Sequence, residues 1–517
     1  MHPVSTPNWP NRRRRVVLLV LAACLMVHPH ETRGQGVRTE SSRRSEQHYR
    51  RGLRHVKNAE YESAEREYRQ AIEIDSTTIR AHDGLGFLYA LQNRLKQAEK
   101  EFATALRIDP NYAPSRYKLG KVFWLRQEFG KAREAYLKTI ETEPAYYPAH
   151  HGLGLIYEQD GRLEEAERHF KAAVRHKADF GPAHYRLGGL YFEQQKYGQA
   201  IEKLQRAAKL IHNEPAIYYV LGSAQMAIGR LAEAAHAFEA SLRLDPSRAE
   251  AYDKLGLVYT EQSHAPLGAA MADQDQLAAA VEAHRQAVEL APDNGTYQHN
   301  LGMAYERQRK YDQAAAQYRE ALKLSPEFAY PRHRLGMIYS RNREYAEAIE
   351  QHEQTLRIEP DNSLFHYALG AVYARSQASA AAIAEFQKAI ALDAHNTEAH
   401  YGLASAYLKQ GRRKDGEREM AIFRSQREGN VEDLERSAAL APDNPQAHAE
   451  LARQYFREAR YLRAIKEYKR AIALAPANAD YHRRLGDAYA NQGRSKEARE
   501  QIEISRKLTR RSKETAD

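Results

Sequence analysis

A leucine followed by a small residue returns every 34 residues along most of the chain. Gly86, Gly120, Gly154, Gly188, Gly222 and Gly256 keep that step, which resumes through Gly302, Gly336, Gly370 and Ala404 and again through Ala452 and Gly486. Gly52 opens the series, giving thirteen copies. A chain built this way does not need one spherical core, because each short unit buries its apolar face against the next. Other residues keep the phase. Alanine stands twelve after the glycine (Ala64, Ala98, Ala132, Ala166, Ala200, Ala234, Ala314, Ala348, Ala382, Ala464, Ala498), and often an aromatic four later (Tyr68, Phe102, Tyr136, Phe170, Phe238, Tyr318, Phe386, Tyr468). Proline closes many copies, as at Pro110, Pro144, Pro246 and Pro326.

The chemistry of these residue types predicts two antiparallel helices per copy. Glycine costs about 1 kcal/mol in a helix relative to alanine, so its regular use implies a packing return. Without a side chain there, and with only a methyl on the facing helix, the two axes come close while leucine, tyrosine and the later aromatic fill the space around them. Proline lacks the amide proton that a continuing helix needs. Over residues 45–508 these coupled positions resemble the tetratricopeptide repeat family. The resemblance implies an all-α, right-handed superhelical solenoid of about 13 helix pairs and, by analogy, a partner-binding scaffold.

Two steps are long. Gly256 to Gly302 is 46 residues and Ala404 to Ala452 is 48. The first insertion, about residues 262–276, is expected to enlarge the turn inside repeat seven. The second is highly charged: Arg412–Arg427 is expected to be a helix stopped by Gly429, followed by a short helix to Leu440. Residues 412–440 would then complete repeat eleven, with repeats one to eleven (45–411) and twelve to thirteen (441–508) as semi-independent blocks. The run Glu497–Leu508 has the polar outer face of a terminal cap, and 509–517 reads as a polar tail.

Before the repeats, a basic stretch (Asn11–Arg15) precedes an apolar run (Val16–Ala23) and a polar turn at His28, the layout of an export signal. The run ends Leu21-Ala22-Ala23-Cys24, which resembles the lipobox of bacterial lipoproteins. That resemblance implies that residues 1–23 are removed, that Cys24 carries the lipid, and that residues 24–44 tether the solenoid to the membrane in the periplasm or at the outer membrane. A chance cysteine in an ordinary signal peptide, or in a short uncleaved anchor, is the alternative. Cys24 is the single cysteine, so no intrachain disulfide and no cysteine metal site can form. The net charge of +10 is a poor argument for nucleic acid: residues 1–44 hold eight arginines against two glutamates, six of the ten excess charges.

Helical phase divides the first helix of each copy into two stripes. Leucine, glycine and the tyrosine three later face the core; the residues three before the glycine, and one, four and five after it, form a second stripe. In the family this stripe lines the concave face. Three before the glycine stand Tyr117, His151, Tyr185, Tyr219, His299, His333, Tyr367 and Tyr401; one after is Phe87; four after are Trp124, Phe192 and Met226. This aromatic ladder is expected to receive a peptide or protein segment, with the faces of sugar rings, as in a polysaccharide-export scaffold, the second possibility. Five after the glycine, Arg307, Arg341, Arg375, Lys409 and Arg457 form a basic line suited to acidic groups. Packing between repeats, and the helix dipole, account for the same residues without any ligand. The asparagines of the family's carboxylate clamp are missing one after the glycine, and only Asn300 fits its asparagine ladder. Gly84-x-Gly86 and Gly152-x-Gly154 lie inside helices and read as packing glycines, not phosphate loops. No catalytic motif or metal-ligand spacing appears, so neither enzyme activity nor a cofactor is expected.

Overall fold

The computed structural model describes residues 39–263 and 270–514, so the leader, Cys24 and residues 264–269 of the first insertion lie outside the described residues. Among the described residues there are 26 helices and no strand, in 13 pairs. The chain is an α-solenoid. It divides into two compact units, one up to Leu244 and one from Asp245.

Unit 1 holds six pairs: α1 (Glu40–Lys57) with α2 (Tyr61–Ile74), α3 (Ile79–Leu91) with α4 (Leu95–Ile108), α5 (Ala113–Leu125) with α6 (Phe129–Thr142), α7 (Tyr147–Gln159) with α8 (Leu163–His176), α9 (Gly181–Glu193) with α10 (Tyr197–Leu210), and α11 (Pro215–Ala227) with α12 (Leu231–Leu244). Unit 2 holds seven: α13 (Ala249–Gln262) with α14 (Ala270–Leu290), α15 (Gly295–Arg307) with α16 (Tyr311–Leu324), α17 (Ala329–Asn342) with α18 (Tyr345–Ile358), α19 (Ser363–Arg375) with α20 (Ser379–Leu392), α21 (Thr397–Lys409) with α22 (Arg413–Leu440), α23 (Pro445–Arg457) with α24 (Tyr461–Leu474), and α25 (Ala479–Asn491) with α26 (Ser495–Glu514).

The repeated glycine is a seat for a ring. A Cβ built on Gly120 would lie 2.7 Å from the Tyr136 ring, on Gly154 2.5 Å from Phe170, and on Gly370 2.8 Å from Phe386, all closer than carbon atoms approach. The first glycine of the G-x-G pairs covers the ring from the next repeat: Gly152 meets Tyr136 at 2.7 Å and Gly84 meets Tyr68 at 2.8 Å. These are packing glycines, and the aromatic side chain is gripped between two helices of consecutive copies. Ala64, Ala98, Ala132 and Ala166 are fully buried beside it.

A feature invisible in the glycine pattern ends each first helix. The residue seven after the repeated glycine has positive φ in twelve repeats, but only Gly161, Gly229, Gly411 and Gly493 are glycines there; the others include Ala59, Asn93, Gln127, Gln195 and Arg343. Repeat seven lacks this turn, since Ser263 keeps φ −73. Its second helix α14 has 21 residues against 14 in a regular copy, so part of the first insertion extends a helix and does not merely enlarge a turn. Phase is recovered by Ala280, fully buried, and by His284, whose ring sits 2.6 Å from the Cβ position of Gly256.

The second insertion differs from expectation. α22 is one helix of 28 residues running straight through Gly429, with no stop and no second short helix. The extra 14 residues are close to four turns of 3.6, so both halves of the helix keep the same face inward. The first half closes repeat eleven, with Gly416 against Leu408. The second half offers Val431, Leu434 and Ala438 to a core shared with Leu451, Tyr455 and Tyr468 of repeat twelve. That packing outweighs the roughly 1 kcal/mol that a helical glycine costs. Repeats eleven and twelve therefore belong to one unit, and the boundary falls at Leu244, not near residue 440. At the ends, residues 40–44 belong to α1 and not to a tether, and α26 carries helix past Leu508 to Glu514. Among the described residues no helix is long and apolar enough to cross a membrane.

Candidate functional site

Within unit 1, α1 touches α3, α3 touches α5, α5 touches α7 and α9 touches α11; within unit 2, α13 touches α15, α17 touches α19 and α19 touches α21. Consecutive second helices make no contact of that extent. Helices on the inside of a curved stack lie closer than those outside, so the first helices line the inner face of each unit. The same faces are tied by polar side chains that reach back one repeat. Ser115 donates to buried Asp83 at 2.8 Å, and Lys118 pairs with its other oxygen at 2.5 Å. Asn300 donates to Asp253 at 2.8 Å, and Arg186 meets Glu158 at 3.5 Å.

Most rungs of the aromatic ladder are packing groups. Tyr117 is 7% exposed and lies between the rings of Tyr136 and Tyr146, at 5.6 and 5.4 Å. His151 meets Phe170 at 5.6 Å and the edge of Phe180 at 5.3 Å; burial, then the charges of Arg186 and Lys121, push its pKa down to about 3. Tyr219 packs on Phe238, buried His299 on Tyr318 and Phe328, buried His333 on His352 and Phe365, and Tyr367 on Phe386. Tyr401 packs on Phe423 yet stays 52% exposed. Tyr117, His151, Tyr219, His299, His333 and Tyr367 thus lean on the ring that their own repeat seats on glycine, and Phe87 is buried as well. Besides His151, the half-buried ladder residues of unit 1 are Trp124, Tyr185, Phe192, Tyr219 and Met226. Trp124, Tyr185, Phe192 and Tyr219 pack on one continuous core that also holds Leu187 and Val220. The indole N–H of Trp124 is itself buried and has no acceptor among the described residues. Beside them burial raises the pKa of Glu158, an effect that Arg186 opposes.

The basic line is partly engaged. Arg341 lies 4.2 Å from the centre of the Tyr311 ring of the preceding repeat, and Arg375 donates to Ser340 at 2.8 Å. Burial, then neighbouring Arg334, hold Arg307 below the usual arginine range. Lys409 and Arg457 are exposed. A stacked or bonded guanidinium is a mortar between repeats as much as a waiting charge.

A second in-phase series was missed. Four residues before the repeated small residue stand His48, His82, His366, His400 and His448, each with Nδ1 at 2.6–2.8 Å from a glutamate nineteen residues on. Nε2 of His82, His366, His400 and His448 faces a backbone carbonyl oxygen six residues back. The signal was present as a histidine and a glutamate at constant spacing, but the pair spans two helices and has no meaning until they are folded together. A cleft of about 650 Å³ adjoins the His448–Glu467 pair, between α22 and α24; Tyr455 and Arg470, also in its wall, are already bonded to Glu435 and Glu467. Among the described residues no group of three or more His, Cys, Asp or Glu side chains is placed to hold a metal ion.

Family models agree with this architecture. A TPR repeat model matches residues 188–229, 380–411 and 452–493. Tetratricopeptide repeat models match 49–113, 117–182 and 219–272, then 295–328 and 332–358, so that together the matches cover more than half of the chain. None of these families is an enzyme family. No curated protein matches the chain. Among solved structures it is similar to pilF of Pseudomonas aeruginosa, with 19% identity over 41% of this chain and 97% of that one and a TM-score of 0.39. It is also similar to YrrB, described as a TPR protein with an unusual peptide-binding site, with 23% identity over 40% and 97% of the two chains and a TM-score of 0.34. The APC/C hetero-tetramer Cut9-Hcn1 matches at 12% identity over 90% and 94%, with a TM-score of 0.35.

Proposed function

From the premise that this chain belongs to the tetratricopeptide repeat family, we propose that it is a non-catalytic scaffold gripping an apolar-faced peptide segment of a protein partner on the inner face of repeats three to six. The observation that carries this reading is the half-exposed set Trp124, Tyr185, Phe192, Tyr219 and Met226, on first helices whose other stripe is buried. Apolar side chains fixed on a rigid wall bind with little loss of their own freedom, and tryptophan and tyrosine anchor many such contacts. The glycan alternative loses its support, because the tyrosines and histidines of the ladder spend their ring faces on neighbouring rings. The leader adds the place of action: a lipid on Cys24 would hold the scaffold at the bacterial cell envelope, where it would serve assembly of a complex.

The test uses Trp124, the single tryptophan left once Trp9 departs with the leader. Amphipathic peptides titrated against the mature chain should shift its emission saturably, and the double variant Phe192→Glu with Met226→Glu should weaken binding at least tenfold. Unchanged affinity in that variant, with an unchanged melting curve, would sink the groove reading. Retention of Cys24→Ser in the same membrane fraction, with no incorporation of labelled lipid into the wild type, would sink the anchor.

A further inference from the structure

Repeat four breaks the histidine–glutamate series in a way that creates a different kind of site. His150 occupies the usual histidine position, but the residue nineteen further on is His169, so that two imidazoles face each other where other copies have an imidazole and a carboxylate. The Nδ1 atoms are 3.2 Å apart. Nε2 of His150 lies 3.0 Å from the carbonyl oxygen of Pro144, which can only accept, so Nε2 carries the proton and Nδ1 of the neutral ring presents its lone pair to His169. His169 is held in turn by Tyr157, stacked on it at 5.3 Å and 16°, with the guanidinium of Arg162 on that tyrosine ring at 4.6 Å. His176 stacks on His150 at 5.6 Å and 21°. His150 is 9% exposed, His169 half-buried and His176 exposed, so the pair opens to solvent on the second-helix side of the repeat.

We propose that Nδ1 of His150 and Nδ1 of His169 form a two-nitrogen pincer for one divalent late transition-metal ion such as Zn(II), with water filling the other positions. Two ligands of one ion at bonds of about 2.0–2.1 Å stand roughly 2.9–3.4 Å apart, which brackets the observed gap. The hydrogen bond from the far nitrogen of His150 to a backbone carbonyl is the outer-shell arrangement that orients metal-binding histidines and raises their basicity. Imidazole is well suited to zinc, copper and nickel. Binding requires only that a proton on Nδ1 of His169 move to Nε2 of the same ring or pass to water. Both rings are neutral at pH 7: burial lowers His150, and burial with the neighbouring His150 and Arg168 pushes His169 down to about 4, against a weaker opposing pull from Glu165. The ion would clamp α7 to α8 in this one repeat and leave its water-filled side for a further ligand.

Equilibrium dialysis of the full mature chain, free of any affinity tag, against zinc chloride tests the proposal. One equivalent should bind saturably. His169→Glu restores the pairing that other repeats use and should fold normally, yet it should weaken uptake at least tenfold, as should His150→Gln; His366→Gln, in a histidine–glutamate copy, should leave uptake unchanged. Uptake unaltered in His169→Glu would overturn the proposal, as would no saturable uptake by the wild type or weak uptake spread over several sites.

Discussion

The two units solve the same packing problem with different side chains, and the difference is chemical. In unit 1 the seat on the repeated glycine is filled by Tyr68, Phe102, Tyr136, Phe170, Leu204 and Phe238. In unit 2 two of these seats hold histidine: His284 on Gly256 and His352 on Gly336. His284 faces Asp253 at 3.0 Å. His352 is fully buried, with neither ring nitrogen bonded among the described residues, 5.2 Å from buried His333. A ring of suitable shape is enough to close a repeat, but an imidazole brings a titratable group into the core. Unit 1 is thus closed by groups that stay neutral at any moderate pH, and repeat nine of unit 2 is not.

Breaking the comparison on the unit 1 side should produce the largest effect. Gly154→Val forces a branched side chain into the space of Phe170, 2.5 Å from the new Cβ, and overpacking of this kind costs about 3 kcal/mol. Hydrogen exchange read by mass spectrometry should show faster exchange in α7 and α8. Gly198→Val, at a glycine with nothing within 4 Å, should leave exchange there close to wild type.

Acid sharpens the contrast. Burial pushes His352 down to about 4, and burial with the charges of His352 and Arg334 pushes His333 down to about 3, from an ordinary 6.5. The unfolded chain then binds more protons than the folded one below pH 6.5, so stability is full above that value and falls as pH drops toward 4. Each such histidine costs about 2 kcal/mol by pH 5. Exchange in α17 and α18 should accelerate between pH 7 and 5 more than in α3 and α4, after correction for intrinsic rates. His352→Phe, which installs the residue that repeat ten uses, should flatten that dependence. An equal acceleration in α3 and α4 would dissolve the distinction.

The smallest expected effect concerns a turn common to both units. Gln195 holds φ at +58 where unit 2 has Gly411 at +76 in the corresponding place. A left-handed conformation costs a residue with a Cβ roughly 1 kcal/mol, so Gln195→Gly should raise the melting temperature by a few degrees. A fall would mean that Gln195 makes a contact worth more than that strain.

The fold was legible because glycine, alanine and the aromatic recur in phase, and each is an answer to the same local crowding. The candidate groove was only half legible. Helical phase puts Tyr117, His151 and Trp124 on one stripe, but whether a side chain on that stripe meets solvent or the next repeat depends on Tyr146 and Phe180, twenty-nine residues after Tyr117 and His151 and outside any helical pattern. The basic line shows the same limit, since Tyr311 and Ser340 claim Arg341 and Arg375 only once repeats are stacked.

Periodic short-range order was therefore written in the sequence alone: the repeat length, the paired helices, the glycine seats and the buried alanines. The tertiary structure decided whatever depends on two helices meeting. It ran α22 unbroken past Gly429, since 14 added residues preserve the inward face; it placed left-handed turns at glutamine and alanine; and it faced His150 with His169. Packing between repeats selects these outcomes because it acts across residues that no local window contains.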